Sequence, residues 1–195
     1  MTPFYRFGRA LCRAVLLPWR VQAVGIERIP LQGPLIVAAN HRSYLDPPVL
    51  GAYLPRMLFY MAKRELFNIP LLGRAIAAVG AFPVDRTGNP LSAIKRAVEV
   101  LKGGEAVAIF PEGTRNLTGS GEIQLGVALL ASLSRAPVIP ACIVGTDRAR
   151  QFARVRVIYG EPMRDACERG LRREEIAPFA HRVMDAIRAL GSEVR

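Results

Sequence analysis

The sequence predicts a single α/β domain, in which buried β-strands alternate with helices along the chain. Short, wholly apolar runs at 35–39 and 106–110 are typical of strands that are covered on both faces. Between them, residues 91–101 place apolar side chains at helical spacing. The chain of 195 residues is long enough for one sizeable core, and no linker rich in proline, serine or glycine divides it.

The first predicted element is an amphipathic helix at residues 4–18, which Pro18 ends or kinks. On a helical wheel its apolar and basic residues fall on opposite sides, Phe4, Phe7, Leu11, Val15 and Trp19 against Arg6, Arg9, Arg13 and Arg20. Aromatic residues opposite arginines are typical of a helix that lies in a membrane interface, where the arginines contact anionic headgroups. We therefore divide the chain into a membrane-interfacial helix at 1–20 and a main domain at 21–195. The alternative is a terminal helix that packs on its own domain with its basic face in solvent.

The remaining elements follow from apolar runs, helical periodicity and the positions of glycine and proline. We predict strands at 21–29, 35–39, 57–62, 79–86, 106–110, 137–143 and 155–160. We predict helices at 47–54, after Gly73, from Pro90 to Gly103, at 123–133 and at 171–190. The last strand alternates as an exposed or edge strand does, and we expect Pro178 to break the last helix.

Charge and hydropathy limit the classes of partner. The net charge is +11 at pH 7, and residues 1–100 hold 13 Lys and Arg against 5 Asp and Glu, an excess of 8. A basic surface of this kind attracts nucleic acid, anionic lipid or an acidic carrier protein. No nucleic-acid-binding module is recognisable, so we expect no nucleic-acid partner. No apolar run reaches the roughly eighteen residues of a membrane-spanning helix, and the three cysteines are too scattered for a disulfide framework or a zinc site.

A polar stretch follows the apolar run 35–39, where residues 40–46 read Asn-His-Arg-Ser-Tyr-Leu-Asp. The ends of buried strands are where α/β proteins carry their chemistry. His41 and Asp46 can touch only if the chain turns between them, and Pro47 favours a turn because it opens a helix and disfavours a helical Asp46. In such a pair the carboxylate fixes the tautomer of the ring, which makes His41 a candidate general base. The alternative is an ordinary loop histidine beside a helix cap.

A second polar stretch follows the run 106–110, where residues 111–116 read Pro-Glu-Gly-Thr-Arg-Asn. A tight glycine turn that displays a carboxylate, a hydroxyl and a guanidinium at a strand end is costly to keep without a use. Arg115 beside Thr114 suits a phosphate, since a guanidinium can donate two hydrogen bonds to its oxygens. Asp85 and Arg86 also end a predicted strand, although a surface ion pair is the simpler explanation there.

Four motifs together carry a family resemblance. They are His41-x4-Asp46, Phe-Pro-Val-Asp-Arg at 82–86, Phe-Pro-Glu-Gly-Thr-Arg at 110–115 and Val-Ile-Pro at 138–140. In this order and spacing the chain resembles the 1-acylglycerol-3-phosphate acyltransferase family of phospholipid biosynthesis, over about residues 20 to 160. The resemblance implies a mixed, largely parallel β-sheet flanked by helices. It also implies transfer of a fatty acyl group from acyl-coenzyme A or acyl-carrier protein to the free sn-2 hydroxyl of 1-acylglycerol-3-phosphate, giving phosphatidic acid, with no cofactor and no metal.

The resemblance also assigns roles to residues. His41 is the general base that takes the hydroxyl proton, and Asp46 orients its ring. The implied substrate-binding residues are Asn40, Ser43, Asp85, Arg86, Glu112, Gly113, Thr114, Arg115 and Pro140. Within this set, residues 112–115 and Arg86 contact the acceptor's phosphate end, and Pro140 belongs to the acyl-binding side. Residues 21–195 are then the acyltransferase domain, and we expect a peripheral protein at the cytoplasmic face of an anionic membrane, without a transmembrane helix.

Two departures from the family's pattern leave the acceptor open. Asn116 stands where serine is more usual, and Gln124 stands where many relatives carry lysine, so a cation expected near the phosphate is missing. One alternative is therefore an acyltransferase with a different lysolipid acceptor. Another is a non-catalytic peripheral lipid-binding protein of the same fold. Four intact motif residues argue against it, namely His41, Asp46, Glu112 and Arg115.

Overall fold

The computed structural model describes residues 3–84, 90–113 and 124–192, and its centre is one twisted β-sheet. Within these residues the strands are β1 Gln22–Val24, β2 Leu35–Ala39, β3 Leu58–Lys63, β4 Ala81–Val84, β5 Ala106–Ile109, β6 Val138–Val144 and β7 Arg156–Tyr159. They lie in the order β1-β7-β6-β2-β5-β3-β4. Neighbouring strands are parallel except for β6 and β7, which are antiparallel. The predicted mixed, largely parallel sheet is therefore confirmed.

Helices cover both faces of this sheet. In the described ranges they are α1 Pro3–Val15, α2 Asp46–Tyr53, α3 Leu72–Ala78, α4 Pro90–Lys102, α5 Gly126–Ser134 and α6 Arg173–Ser192. The central strand β2 is buried along its whole length, and its side chains alternate between two cores. Ile36 and Ala38 pack with α4, α5 and α6, whereas Leu35 and Val37 pack with α2 and the end of the α1 segment. A strand covered on both faces needs an uninterrupted apolar run, as the sequence has here.

Helix α1 docks on the domain in an unexpected orientation. Its buried contacts come from Tyr5, with Leu16 just beyond its end, while Phe4 and Phe7 remain 64% and 67% exposed. Arg9 Nη1 donates to Leu54 O at 2.9 Å, and the Arg13 guanidinium donates to a carbonyl of α2. These two arginines therefore satisfy carbonyl groups at the C-terminal end of α2, where cations are favoured. Helix α1 thus packs on its own domain with Arg9 half-buried, while Arg13 is exposed although its guanidinium also bonds to α2. The contact of this helix with a membrane stays a prediction.

Two strands differ from prediction near the ends of the chain. The strand predicted at 21–29 is only Gln22–Val24, because Gly25 turns the chain at φ +78° and a short 3-10 turn follows. A side chain at Gly25 would meet Tyr159 O at 2.3 Å. Strand β7, predicted as exposed or edge, is interior and largely buried, because β1 pairs with it in parallel.

Two helices also differ from prediction at proline residues. Helix α6 continues past Pro178 for its full 20 residues rather than breaking there. The cost of the proline is offset by an apolar stripe of α6 that is buried against the sheet, including Phe179, Val183 and Ile187. Helix α2 begins at Asp46 itself, one residue earlier than the prediction. Among the described residues, none of the helices has the length and apolar character needed to cross a membrane.

Helix α2 packs so closely on β3 that Gly51 has no room for a side chain. A Cβ atom there would lie 2.0 Å from the Tyr60 hydroxyl oxygen and 3.1 Å from the ring carbon that bears it. That hydroxyl is buried and has no hydrogen-bond partner among the described residues. A side chain at position 51 would therefore require either the α2 backbone or the packed Tyr60 ring to move.

We expect Gly51→Ala to lower the free energy of unfolding by about 1–3 kcal/mol, because overpacking outweighs the better helix propensity of alanine. The measurement is urea unfolding followed by circular dichroism. Tyr60→Phe removes the clashing oxygen and an unpaired buried hydroxyl, so it should be neutral or stabilising alone and should rescue Gly51→Ala. Equal losses with and without Tyr60→Phe would show that the hydroxyl contact is not the cause.

Candidate active site

The end of β2 is fastened to β6 by Asn40. The Asn40 side-chain amide donates to Ile143 O at 2.9 Å and accepts from Ile143 N at 2.7 Å. This pair of bonds continues the sheet after β2 has ended and fixes where the next residue, His41, leaves it. Asn40 was predicted to bind substrate, and the structure shows that both ends of its amide are bonded to the protein backbone.

The loop from His41 to Asp46 turns as predicted and brings the two side chains together. His41 Nδ1 lies 2.9 Å from Asp46 Oδ2. The same oxygen accepts hydrogen bonds from the backbone of Arg42 at 2.6 Å and of Ser43 at 2.7 Å. Asp46 is fully buried at the first position of α2, where the helix dipole favours a negative charge. A carboxylate can only accept hydrogen bonds, so this contact favours the tautomer of the His41 ring that has its proton on Nδ1 and a lone pair on Nε2.

The His41 ring is also held on its face. It stacks on Phe110 with a centroid separation of 4.3 Å and an angle of 24° between the planes. The side chain of His41 is only 16% exposed. No role for Phe110 follows from the motifs of the sequence, although its place directly after the strand run 106–109 puts it level with the end of β2, next to His41.

Glu112 approaches the same loop from the end of β5. Its Oε2 accepts a long hydrogen bond of 3.4 Å from the backbone of His41. Burial raises the pKa of Glu112, and the His41 amide and the Arg42 charge partly oppose that rise. The turn is closed by Gly113 N donating to Phe110 O at 2.9 Å, with φ +68° at Gly113. A Cβ at Gly113 would lie 3.0 Å from Gln124 Cγ, so a neutral side chain packs directly on the turn.

Of the other predicted binding residues, the structure describes Ser43 and Pro140 but not the remaining four. Asp85, Arg86, Thr114 and Arg115 lie outside the described residues. Ser43 Oγ accepts from Leu45 N at 3.2 Å within the turn. Pro140 is buried within β6 and paired with Ala38, and it does not line the apolar cavity described next. The assignment of Pro140 to the acyl-binding side stays a prediction.

Two cavities approach the loop from His41 to Asp46 from opposite sides. The larger, about 440 Å³, is almost wholly apolar and lies between α1, α2, α3 and β3. Its walls include Phe110, Tyr44 and Pro47, so it reaches the residues around the His41–Asp46 pair. The second, about 350 Å³, lies on the α6 side. We call it the polar cavity because charged and amide side chains line it beside apolar residues such as Cys142 and Met184; they are Asn40, Arg42, Glu112 and Arg188. The alternation of β2 explains the division, since adjacent residues 40 and 41 point to opposite faces.

The apolar cavity could not be predicted from the sequence. Its walls come from five separate segments, among them Tyr5 of α1, Met61 of β3 and Ile76 of α3. Each residue is an ordinary apolar position of its own element, and only the packing of the elements leaves the space between them. The amphipathic pattern of α1 was the one feature of the sequence that indicated a lipid contact on the side of the molecule where the cavity lies.

Comparison with known proteins identifies the family. A family model described as Acyltransferase matches residues 20–144. A 1-acyl-sn-glycerol-3-phosphate acyltransferase of Bacillus subtilis is 32% identical over 167 residues, which are 83% of this chain and 83% of that protein. The enzyme of the same name from Streptococcus pneumoniae is 30% identical over 98% of this chain and 75% of its own. The crystal structure of the 1-acyl-sn-glycerophosphate acyltransferase of Thermotoga maritima shares the fold, with a TM-score of 0.78, 24% identity and coverage of 98% of this chain and 80% of that one. The chain therefore belongs to the acyltransferase family of enzymes.

Proposed function

We propose that this acyltransferase moves a fatty acyl group from a thioester, acyl-coenzyme A or acyl-carrier protein, to the sn-2 hydroxyl of 1-acylglycerol-3-phosphate. The product is phosphatidic acid, and no cofactor is used. The single observation that carries the proposal is the His41–Asp46 contact of 2.9 Å at the meeting point of an apolar and a polar cavity. The names of the Bacillus subtilis and Streptococcus pneumoniae relatives support the choice of acceptor.

In this proposal His41 acts as the general base. Asp46 and the stacked Phe110 hold the ring with the proton on Nδ1, so Nε2 can accept the proton of the acceptor hydroxyl. The hydroxyl oxygen attacks the thioester carbonyl, the C–O bond forms, and the C–S bond breaks. The departing thiolate takes the proton back from the imidazolium. Every proton and bond is accounted for without an acyl-enzyme intermediate.

The apolar cavity is suited to an acyl chain. Its lining is almost free of polar atoms, and its volume of about 440 Å³ lies in the usual range of ligand pockets. Phe110 belongs both to the wall of the cavity and to the stack on His41. A chain in the cavity would therefore end close to Phe110 and to the His41 ring that stacks on it, and general-base catalysis requires such proximity.

We also propose that α1 binds the protein peripherally to an anionic membrane, at the cytoplasmic face. Its outward residues Phe4, Phe7, Leu11 and Val15 are each more than half exposed. A contiguous exposed apolar surface of this kind marks an interaction site. Tyr5, Gly8 and Cys12 of the same helix line the apolar cavity, so one helix contacts both the proposed membrane and the proposed chain site.

A different lysolipid acceptor is the second candidate, and Gln124 favours it. This neutral residue packs on the Glu112–Gly113 turn, where a cation would assist binding of a phosphate. The deciding experiment is radiolabelled acyl transfer to a panel of lysolipids, including 1-acylglycerol-3-phosphate, with both thioester donors. No transfer to 1-acylglycerol-3-phosphate, with transfer to another acceptor, would replace the first proposal by the second.

We expect His41→Ala to lower kcat at least about 10²-fold, because loss of a general base typically costs 10² to 10⁴. The chain offers a matched control in its only other histidine, His181, which is exposed on α6. His181→Ala should retain the wild-type rate, and both variants should show the wild-type circular dichroism. Near-normal turnover by a folded His41→Ala protein would exclude His41 as the base.

For the membrane, we expect the double variant Phe4→Ser and Phe7→Ser to weaken binding to anionic vesicles roughly tenfold or more, because each phenylalanine that enters the interface contributes of the order of 1 kcal/mol or more. The measurement is vesicle sedimentation. Leu133→Ser is the control, since Leu133 is 54% exposed on α5. Equal vesicle binding by the double variant and by Leu133→Ser would show that α1 does not contact the membrane.

Deletion of residues 1–20 is not a clean test, although the amphipathic pattern suggests it. The deletion removes Tyr5 and Leu16 from the core, and it removes one wall of the apolar cavity. It also exposes the carbonyl groups of α2 that Arg9 and Arg13 satisfy. A loss of vesicle binding would then follow from unfolding as readily as from loss of the apolar surface.

The ionised carboxylate of Glu112 should lower the free energy of unfolding at neutral pH. Burial raises its pKa in the folded state, so the folded protein loses stability as pH rises from the ordinary glutamate pKa through the raised one. We expect Glu112→Gln, which keeps an acceptor for the His41 amide, to be more stable than the wild type at pH 7. The advantage should vanish below about pH 4, where the wild-type carboxyl is protonated in both states. Urea unfolding at both pH values measures it, and an unchanged difference would contradict this account.

A further inference from the structure

The polar cavity on the α6 side combines two arginines with one carboxylate. Arg42 comes from the catalytic loop, Glu112 from the end of β5, and Arg188 from α6, 76 residues after Glu112 along the chain. Beneath them the lining is apolar, with Cys142 and Met184 among its residues. When all three charged groups are ionised the cavity carries an excess positive charge, over a surface that offers an anion few competing acceptors.

Arg42 holds its place in this cavity through its backbone. Its amide donates to Asp46 Oδ2 at 2.6 Å, so its side chain starts from a fixed point beside the His41–Asp46 pair. The Arg42 charge acts on both titratable groups of the cavity wall. Burial raises the pKa of Cys142 to about 11 and raises that of Glu112, and the Arg42 charge opposes both rises. The guanidinium therefore lies within electrostatic reach of the cavity interior.

Arg188 lines the polar cavity from α6, opposite Arg42, and its guanidinium has N–H donors left for a ligand. It lies on α6 next to Ile187, which anchors the helix in the core. Its Nη1 donates to Asp185 Oδ1 at 3.2 Å in an exposed pair, and its side chain is 52% exposed. Such a pair contributes little to stability, and a guanidinium has five N–H donors, so a ligand can bind without disrupting the fold.

We propose that Arg188 and Arg42 together bind a phosphate group of the reactants in the polar cavity. This inference rests on the proposed function, because both the acceptor and the thioester carriers contain phosphate. Two guanidinium groups suit a phosphate ester, which offers several oxygens for paired hydrogen bonds. Arg188 lies beyond residues 20–144, the part that the family model matches, so this cation comes from outside the matched region. It would supply positive charge that Gln124, packed on the Glu112–Gly113 turn, does not.

The kinetic test uses Arg188→Ala in the full-length protein. We expect KM for the phosphate-bearing substrate to rise roughly tenfold, as for the loss of a hydrogen bond to a charged group, while kcat changes less than about twofold. Arg188→Lys keeps the positive charge but not the planar pair of N–H donors, so its KM should lie between those of the wild type and of Arg188→Ala. Arg173→Ala is the matched control, because Arg173 is exposed on the first turn of the same helix, about 22 Å away.

Two arms identify the source of the phosphate. KM for 1-acylglycerol-3-phosphate is measured at saturating thioester, and KM for the thioester is measured at saturating acceptor. A rise in the first alone assigns the phosphate to the acceptor headgroup, and a rise in the second alone assigns it to the carrier. An unchanged KM in both arms, or an equal rise in Arg173→Ala, overturns the proposal while leaving the acyl-transfer activity of the wild type intact.

A binding measurement separates this proposal from the proposed function. Thermal unfolding is followed in inorganic phosphate and in chloride at the same ionic strength. Phosphate should raise the Tm of the wild type and of Arg173→Ala more than that of Arg188→Ala, since a ligand stabilises only a protein that binds it. Equal shifts in all three proteins overturn the Arg188 site even if 1-acylglycerol-3-phosphate proves to be the acceptor. Unequal shifts with no transfer to that lipid would instead disprove the proposed function alone.

Discussion

The site depends on one oxygen atom, Asp46 Oδ2, which accepts hydrogen bonds from the His41 ring and from the Arg42 and Ser43 amides. Asp46 is fully buried, so a carboxylate there is tolerated only with strong compensation. The two amides belong to the loop that must turn for His41 to reach it, and the helix start adds its dipole. The same interaction therefore closes the loop, fixes the tautomer of His41 and defines where α2 begins. Loss of the carboxylate would affect the shape of the loop as well as the basicity of the ring.

The alternation of side chains along β2 turns this loop into a boundary between two environments. Asn40 points to the α6 side and binds the backbone of β6, whereas His41 points to the α2 side and stacks on Phe110. The polar cavity, lined by Asn40 and Arg42, and the apolar cavity, lined by Tyr44 and Phe110, consequently approach the 41–46 loop from opposite sides. The proposed lipid substrates carry both an apolar chain and a charged headgroup, and a charged group is costly to bury in an apolar site, so such a meeting point suits them. A shift of one residue in the register of β2 would exchange the two sides.

Local sequence rules predicted the parts of the molecule that local forces decide. The apolar run of β2, the turn before Pro47 and the contact of His41 with Asp46 each follow from a few neighbouring residues. Strand β7 was predicted as an edge strand because its alternation is local, while its burial depends on β1, which lies far away in the chain. Pro178 was expected to break α6, but the apolar stripe that holds the helix on the sheet overrides the local preference. The apolar cavity and the place of Arg188 depend on how separate elements pack, and no single stretch of sequence contains that information.

The orientation of α1 explains why its sequence combines exposed aromatic residues with arginines. An amphipathic pattern alone is compatible with an apolar side that packs on the domain, yet here Phe4 and Phe7 face outward while Arg9 and Arg13 satisfy carbonyl groups at the end of α2. Helix α2 has eight residues and a length of about 12 Å, and its other end carries Asp46. One short helix thus joins the anchor of α1 to the carboxylate that orients the proposed base. Both α1 and α2 line the apolar cavity, whose wall also includes Phe110, the residue that stacks on His41.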